Sequence, residues 1–352
     1  MKSLSQIRAS GLFRSIWLAT LIFVSCVVQS EGQGEVLFPI RENGKMGFAD
    51  KTGKVVIPYQ FDEISENFSE GMISVKIGEK WGYIDRSGKF VIKSQFDRTF
   101  PFKEGMAFVE SGEKSGFIDK TGKIVIPLEP PDYLAKFSEG LAKVKKDNKF
   151  GFVDKTGKFV IEPRYEDAQD FNEGLAAVET DDKYGFIDKT GKTVIPFKFN
   201  DADWFSEGLA RVTIEENTVE SNAKSGYIDK TGKMVIAPKF DRAFAFSEGL
   251  AKVAVGNKAG FIDKAGKMVI APQFYSPEFG YTTDSETGFR EGLAVVTIDG
   301  KIGYIDKTGK FAIPAQYKFG FDFNGGLAFV ATDDERIYFV DKTGKAIIEL
   351  KK

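Results

Sequence analysis

The stretch Lys149–Ile161, which reads KFGFVDKTGKFVI, decides the fold because the chain repeats it almost from end to end. The repeated aspartate stands at Asp50, Asp85, Asp119, Asp154, Asp188, Asp229, Asp263, Asp306 and Asp341. The successive gaps are 35, 34, 35, 34, 41, 34, 43 and 35 residues. A nearly fixed period of this length is the signature of a tandem repeat architecture. We therefore expect about nine copies of one structural unit.

The repeated stretch predicts two strands joined by a tight turn. Phenylalanines alternate with Gly151 and Val153, a period of two that is typical of a half-buried strand. Asp154 is placed to accept hydrogen bonds from the backbone of the turn, and Gly157 to adopt a positive φ. Residues 159–161 are aromatic or β-branched, as strands prefer. A glycine within a strand, such as Gly151, predicts that a neighbouring ring or backbone passes close to it.

The rest of the unit predicts further strands. Most copies reach a proline, such as Pro163, so this strand is expected to end there or to lie at a sheet edge. A second phrase, Phe-x-Glu-Gly-Leu-Ala at residues 137–142, recurs with its glutamate in seven copies and predicts a turn leading into a strand over Leu141–Lys145. The eighth copy carries Gly325 instead of the glutamate. With a weaker fourth strand expected near Tyr165, each unit is an antiparallel meander.

A unit of about 35 residues cannot bury its own core, so each copy must pack against its neighbours. The aromatic supply is large, with 34 Phe and 11 Tyr. Residues 35–352 begin with a leading strand at 36–41 and end after a third strand at 346–350, so neither end supplies a piece that the other lacks. We therefore predict an all-β fold, an open twisted array of antiparallel β-meander repeats. The alternative is a closed β-propeller, which commonly completes one blade from both termini.

The N-terminal region has a different composition. Residues 1–25 are basic without an acidic residue and lead into an apolar run at 15–28, which predicts a signal peptide. Cys26, the only cysteine, follows Phe23-Val24-Ser25 in a pattern that resembles a lipobox, in which the cysteine receives a diacylglyceryl group. Ordinary cleavage near Ser30 is the alternative and would discard Cys26. Residues 26–34 would form a flexible tether to an exported protein, either a periplasmic or outer-membrane lipoprotein or a secreted one.

The composition argues against several classes of chemistry. The chain has no His and no cysteine that stays available as a thiol, so we expect no metal site and no disulfide. Removing residues 1–25 removes three positive charges and moves the net charge from -2 to -5, which disfavours nucleic acid as a partner. No cofactor-binding motif is present. The repeated Asp and Glu occur seven to nine times, whereas a catalytic pair is needed once, so we expect them to be structural and no residue to be catalytic.

One copy identifies a family resemblance. Lys80-Trp81-Gly82-Tyr83-Ile84-Asp85, followed by Ser87-Gly88-Lys89, resembles the WG repeat, also called the KWG repeat. The resemblance covers nearly all of the chain after residue 34 and implies a bacterial, often exported protein without an established catalytic activity. Only Trp81-Gly82 keeps the Trp-Gly pair, so a general role for that tryptophan is in doubt.

These observations predict a non-catalytic binding or scaffold protein of the bacterial cell envelope. Its partner would be a protein or a glycan, with membrane contact only through the lipid anchor. The candidate contact residues are three aromatic residues of an insertion and the two tryptophans that follow the leader: Tyr275, Phe279, Tyr281, Trp81 and Trp204. The alternative is a carboxylate-dependent envelope glycoside hydrolase. Only Glu215, Glu216 and Glu220 add acidic residues beyond the repeat, and their polar surroundings are typical of a solvated loop.

Overall fold

The computed structural model describes residues 35–351, except for residues 66, 129–135, 215–222 and 277–287. The predicted leader at 1–25, Cys26 and the tether at 26–34 lie outside the described residues. The described residues are all-β and form nine antiparallel sheets in chain order, one for each repeat. We call each sheet a blade.

The first three blades consist of β1 (Phe38–Glu42), β2 (Lys45–Ala49) and β3 (Val55–Phe61); β4 (Glu63–Ile64), β5 (Met72–Ile77), β6 (Lys80–Asp85) and β7 (Phe90–Phe96); and β8 (Arg98–Thr99), β9 (Met106–Ser111), β10 (Lys114–Asp119) and β11 (Ile124–Leu128). Blades 4 to 6 consist of β12 (Phe137–Ser138), β13 (Leu141–Lys146), β14 (Lys149–Val153) and β15 (Phe159–Tyr165); β16 (Leu175–Thr180), β17 (Lys183–Asp188) and β18 (Thr193–Phe199); and β19 (Asp201–Ser206), β20 (Leu209–Ile214), β21 (Lys224–Asp229) and β22 (Met234–Phe240). Blades 7 to 9 consist of β23 (Arg242–Ala243), β24 (Leu250–Val255), β25 (Lys258–Asp263) and β26 (Met268–Tyr275); β27 (Leu293–Ile298), β28 (Lys301–Asp306) and β29 (Phe311–Tyr317); and β30 (Phe319–Gly320), β31 (Leu327–Ala331), β32 (Ile337–Asp341) and β33 (Ala346–Leu350).

Blade 4 shows the general plan, with an inner strand (β12), a second strand (β13), a third strand (β14) and an outer strand (β15) in that order. The outer strand does not stop at Pro163 but runs on to Tyr165, because two register shifts against β14 bulge it around the proline. It lies at the sheet edge, as predicted. The fourth strand was expected near Tyr165, and this was wrong: Tyr165 ends the outer strand, and the fourth strand is the short inner one.

The bulge explains the repeated strand glycine. A Cβ added to Gly151 would lie 2.6 Å from the carbonyl oxygen of Ile161 on the outer strand, so the predicted close approach is confirmed. Blade 9 is the instructive exception, since Tyr338 stands at this position. There the outer strand has no proline, and the ladder between β32 and β33 contains one register shift. The number of shifts does not decide the residue by itself, since blade 3 also has one shift and keeps Gly116, where an added Cβ would lie 2.4 Å from the carbonyl oxygen of Ile126.

The core lies between the blades. Each hydrophobic cluster in the described part of the chain joins two consecutive blades, as when Phe152 and Ile161 of blade 4 pack with Phe171 and Val178 of blade 5. The predicted dependence of each unit on its neighbours is therefore confirmed. Rings of successive blades meet edge to face, with 4.8 Å between the centroids of Phe152 and Phe171.

The ninth cluster closes the ring. Phe38 and Ile40 of blade 1 pack with Leu327 and Phe329 of blade 9. Phe38 also meets Phe339 edge to face, with the ring centroids 5.3 Å apart. The chain is thus a nine-bladed β-propeller, and the predicted open array was wrong. The prediction required the termini to share a blade, but blades 1 and 9 are each made from one end of the chain. They close the ring through side-chain packing and an ion pair between Lys351 and Glu42 at 3.1 Å.

The propeller has two distinct faces. The turn face carries the Asp-x-Thr-Gly turns and the Phe-x-Glu-Gly turns, which lie close enough for Lys155 of one turn to pair with Glu104 of the other at 3.3 Å. The hairpin face carries the hairpins between second and third strands and the ends of the outer strands. Those two features are joined there by ion pairs such as Lys149–Glu166, with 2.9 Å between Nζ and Oε1.

Candidate functional site

The repeated aspartates accept hydrogen bonds from the residues of their own turns. Oδ1 of Asp154 accepts hydrogen bonds from the backbone N–H of Thr156 at 2.8 Å, the Thr156 hydroxyl at 2.6 Å and the N–H of Lys158 at 3.1 Å. The hydroxyl bond, followed by the backbone bonds, lowers the pKa of Asp154. The predicted role of the aspartate in turn hydrogen bonding is therefore confirmed.

The repeated glutamates join one blade to the next. The Glu139 carboxylate of blade 4 accepts a hydrogen bond from the N–H of Gly174 in blade 5 at 3.0 Å and pairs with Lys189 of blade 5 at 3.0 Å. All seven glutamates have φ between 51 and 53°, a left-handed conformation that costs energy for a residue with a side chain. We call this arrangement the glutamate clasp. It is made by Glu70, Glu104, Glu139, Glu173, Glu207, Glu248 and Glu291.

One position next to the Phe-x-Glu-Gly turns differs from copy to copy. The position just before the phenylalanine of Phe-x-Glu-Gly is different in chemistry around the ring. Its occupants are Asn67, Pro101, Lys136, Asp170, Trp204, Ala245, Gly288 and Asp322. Neighbouring positions are within reach of one another, since Lys136 and Asp170 form an ion pair at 3.1 Å. We call these eight positions the variable ring, and because they vary beside a phrase that repeats, they are candidates for contact with a ligand.

Trp204 is the most unusual member of this ring. Its indole is 38 % exposed. It lies on β19, which has six residues where other named inner strands have two, and in which the register shifts between Ala202 and Phe205. Such bulges re-aim side chains and are common beside binding sites. The indole beside this bulge is partly open to solvent, and the same position in the next two blades holds the small residues Ala245 and Gly288.

A largely buried arginine holds the bulged strand in place. Nε and Nη2 of Arg211 donate to the two carboxylate oxygens of Asp203 at 2.5 and 2.7 Å, and Nη2 lies 2.8 Å from Oδ2 of Asp201. Nη1 donates to the Thr213 hydroxyl at 2.9 Å. Burial alone would lower the pKa of Arg211, but the hydrogen bond and charge of Asp203 raise it overall, so the guanidinium stays charged. A two-point bond of this kind fixes Asp203 and with it the direction of Trp204.

The other aromatic candidates lie elsewhere. Trp81 is half-buried on β6, opposite Phe96 of the outer strand and with the Lys76 ammonium 5.9 Å from its ring centroid, which suits a packing role. Tyr275 ends the outer strand β26 and is 42 % exposed. It is therefore on the opposite side of a blade from the inner-strand ring that holds Trp204. Phe279 and Tyr281, like Glu215, Glu216 and Glu220, lie outside the described residues.

Sequence reasoning missed one acidic group. Glu179 on β16 lies near Asp167 and Glu166, and burial followed by these like charges raises its pKa. Asp167 in turn accepts a hydrogen bond from the Tyr184 hydroxyl at 2.7 Å. The signal was the acidic pair Glu166-Asp167 at the blade connection, close in sequence to the acidic stretch that contains Glu179. In the ranges that the structure describes, no group of three or more acidic side chains is arranged to hold a metal ion, and no helix is long and apolar enough to cross a membrane.

The fold and the variable channel ring define a nine-bladed propeller of tandem repeats. The profile of the family described as WG containing repeat matches residues 46–81, 81–114, 116–150, 150–184, 184–217, 226–258, 260–276 and 302–335. The chain belongs to the WG-containing repeat family. This confirms the resemblance drawn from Trp81-Gly82 and its sister copies.

The comparisons with solved structures concern the fold alone. A crystal structure of a eukaryotic initiation factor is 12 % identical, has a TM-score of 0.63, and the match covers 90 % of this chain and 96 % of that one. BamB from Moraxella catarrhalis is 11 % identical with a TM-score of 0.40, covering 77 % and 94 %. None of the curated proteins matches this chain in sequence.

Proposed function

We propose that this protein is exported to the cell envelope and binds its ligand, without catalysis, at the channel wall around Trp204. The observation that carries the proposal is the exposed indole on the one described inner strand that is both long and bulged, held in place by Arg211 and Asp203. A partly exposed indole held in one orientation offers a flat apolar face on which a ligand can stack.

The surroundings of Trp204 favour a glycan over a protein as the ligand. On the neighbouring blades the ring continues with Asp170 and Lys136, an ion pair whose lysine is largely exposed. A sugar ring can stack on the indole face while its hydroxyl groups bond to the carboxylate and the ammonium. A protein partner would favour a larger apolar patch, and the next ring positions beyond Trp204, Ala245 and Gly288, are too small to provide one.

Tryptophan fluorescence tests the site directly. Trp17 falls in the predicted leader, so Trp81→Phe leaves Trp204 as the only indole of the mature chain. We expect oligosaccharides from the envelope, such as peptidoglycan fragments and β-glucans, to cause a saturable change in its emission. The matched control, Trp204→Phe, keeps Trp81 and should stay silent. The absence of any saturable change across the glycan panel would overturn the proposed ligand class, and saturable binding of an envelope polypeptide at Trp204 would replace it.

Export and anchoring have a separate test. The apolar run at 15–28, which contains Cys26 after Phe23-Val24-Ser25, supports a lipid-anchored mature chain. Metabolic labelling with a fatty acid should mark the wild type but not Cys26→Ser. Equal labelling of the two, or a mature protein that begins at Met1, contradicts this part of the proposal.

The hydrolase alternative has little support among the described carboxylates. The repeated Asp and Glu are engaged in turns and clasps, and Glu179, whose pKa is raised, is surrounded by other acidic groups that have structural partners. The discriminating measurement is release of reducing ends from the same glycans. Turnover that is lost in Glu216→Gln would favour the hydrolase.

A further inference from the structure

The outer strand of blade 9 differs from the other eight outer strands. Seven of those eight contain a proline, one or two residues after the buried isoleucine: Pro58, Pro127, Pro163, Pro196, Pro238, Pro272 and Pro314. The eighth, β7 of blade 2, has the exposed Lys93 after its isoleucine and two register shifts against β6. Prolines, lysines and bulges are the features that keep a sheet edge from pairing with another chain. β33 contains no proline, and its ladder has a single shift between Phe339 and Val340, so residues 348–350 pair with β32 without interruption.

The direction of the backbone groups on β33 follows from the turn that precedes it. Asp341 directs its backbone toward the outer strand, since its N–H donates to the carbonyl of Lys345 at 2.9 Å. Backbone direction alternates along a strand, so Phe339 also faces β33, and Ile348, its partner, faces back. Glu349, the next residue, therefore directs its N–H and its carbonyl away from the sheet.

Blade 3 supports this assignment. Its ladder also has one shift, and Pro127 stands opposite Gly116 there as Glu349 stands opposite Tyr338 in blade 9. A proline has no N–H to give to the ladder, so this position does not require an inward donor. Blade 9 thus has an outward N–H at the edge position where blade 3 has none.

We propose that β33 pairs in antiparallel fashion with β33 of a second copy of this chain, so that the two ninth blades form one continuous sheet. Outward backbone groups must meet one another, and by the same alternation those of Lys351 point the same way as those of Glu349. Residues 348–351 therefore allow three registers: Glu349 opposite Glu349, Lys351 opposite Lys351, or Glu349 opposite Lys351. The first two place like charges opposite each other, and only the third pairs opposite charges.

The third register is symmetric about a two-fold axis, as in most homodimers. Glu349 of each copy exchanges both backbone hydrogen bonds with Lys351 of the other, and the two Leu350 side chains meet at the axis. Leu350 lies at the margin of the cluster that packs blade 9 against blade 1, so its apolar surface continues into the contact. Lys351 lies 3.1 Å from Glu42 but its side chain is 72 % exposed, and a pair of this kind contributes little to stability. Lys351 is therefore available to the second copy.

The contact is small, so the dimer should depend on protein concentration. Sedimentation velocity of the purified protein, in a concentration series up to the millimolar range, should show the mass double. Glu349→Lys and Lys351→Glu should each weaken the dimer by roughly tenfold or more, because each places like charges opposite each other. An equimolar mixture of these two variants should restore the dimer, since each copy supplies the charge that the other lacks.

Glu349→Pro gives blade 9 the edge that blade 3 already has. It should abolish the dimer while the melting temperature changes little, because the lost N–H points outward.

A disulfide tests the register. Residues of a non-hydrogen-bonded antiparallel pair have Cα atoms about 4.5 Å apart, a distance that a disulfide can span. Leu350→Cys in a Cys26→Ser background should therefore form a covalent dimer on mild oxidation. Val160→Cys in the same background is the matched control, since Val160 is exposed on the outer strand that contains Pro163, and it should stay monomeric.

Three results would overturn the proposal: a protein that stays monomeric up to millimolar concentration, a dimer unchanged by Glu349→Pro, or no recovery in the mixture of the two charge variants. Trp204→Ala should leave the dimer intact. The inference concerns the edge of blade 9 and does not depend on the proposed glycan site.

Discussion

Where the ring closes, Val36 fills the space that a side chain at Gly325 would need. A Cβ added to Gly325 would lie 2.6 Å from the Cβ of Val36. Gly325 stands at the glutamate position of the clasp, and Val36 stands at the glycine position of the following blade. Elsewhere these two positions hold a pair such as Glu139 and Gly174. At the closing joint, packing of the small Gly325 against the larger Val36 therefore replaces the hydrogen bond of the glutamate clasp.

This exchange predicts a rescue. Gly325→Glu forces a side chain against Val36 and should destabilise the protein by roughly 1–3 kcal/mol, as overpacking does. Adding Val36→Gly removes the obstruction and recreates the clasp of the other joints, so the double variant should recover most of the loss. Thermal unfolding of the two single variants and the double variant measures this. A double variant no more stable than Gly325→Glu alone would show that the two residues do not compensate each other.

Two substitutions separate the contribution of the clasp's hydrogen bond from the cost of its left-handed backbone conformation. Glu139→Ala removes the carboxylate that holds Gly174 and Lys189 but keeps a side chain at positive φ, and should cost on the order of 1–3 kcal/mol. Glu139→Gly also loses the bond but relieves the backbone, so it should cost about 1 kcal/mol less. Urea unfolding of both variants gives the difference. Equal stability of the two would mean that the left-handed glutamate carries no measurable strain.

The strand glycine should be far less tolerant than the turn glycine. Gly151→Ala places a methyl group 2.6 Å from a backbone oxygen that the bulged outer strand cannot easily move, so we expect a loss of about 3 kcal/mol or more. Gly140→Ala is the matched control, since a Cβ there meets nothing within 4 Å and only the φ of 89° opposes it. Melting temperatures should fall much further for Gly151→Ala. The reverse order would contradict the bulge as the reason for the glycine.

The sequence was sufficient to predict the structure of the repeat unit, but not the closure of nine units into a ring. Gly151, Asp154 and the edge position of Pro163 were predictable because each is decided by contacts within about 15 residues. Closure depends on how small rotations add up over nine joints, and no single repeat contains that sum. The signal was present only as a relation between the ends, in which Gly325 and Val36 depart from the pattern in complementary ways.

The candidate site was predictable in part. Trp204 was named as a candidate contact residue from the sequence, but the sequence did not show which of the five aromatic candidates is exposed on an inner strand. What exposes it is the bulge held by Asp203 and Arg211, a pairing across two strands that the repeat pattern does not encode. The inner strand was also missed, because two residues are too few to show the period of a strand.

One turn in the protein lacks a bond that the others have. Ala265 stands where the other eight copies have a threonine or serine, whose hydroxyl donates to the turn aspartate at 2.6 Å, as Thr156 does to Asp154. Ala265→Thr should add that bond to Asp263 and raise the melting temperature. Thr156→Ala is the mirror variant and should lower it. If both changes leave the melting temperature unmoved, the hydroxyl bond does not contribute to stability.

Glu179 and Glu166 are expected to change the stability of the protein with pH in opposite directions. Burial and then the charges of Asp167 and Glu166 raise the pKa of Glu179 above its ordinary value of 4.5, so the folded protein holds this proton more tightly than the unfolded chain. Glu179 therefore has no effect on stability below the ordinary pKa and lowers stability as the pH rises through the raised one. Glu179→Gln should raise the melting temperature at pH 7 and lose that advantage near pH 4.

Glu166 is the control: its bond to Lys149 lowers its pKa, so Glu166→Gln should be destabilising at pH 7 and neutral at low pH. Two variants with the same sign at pH 7 would contradict the assigned charges.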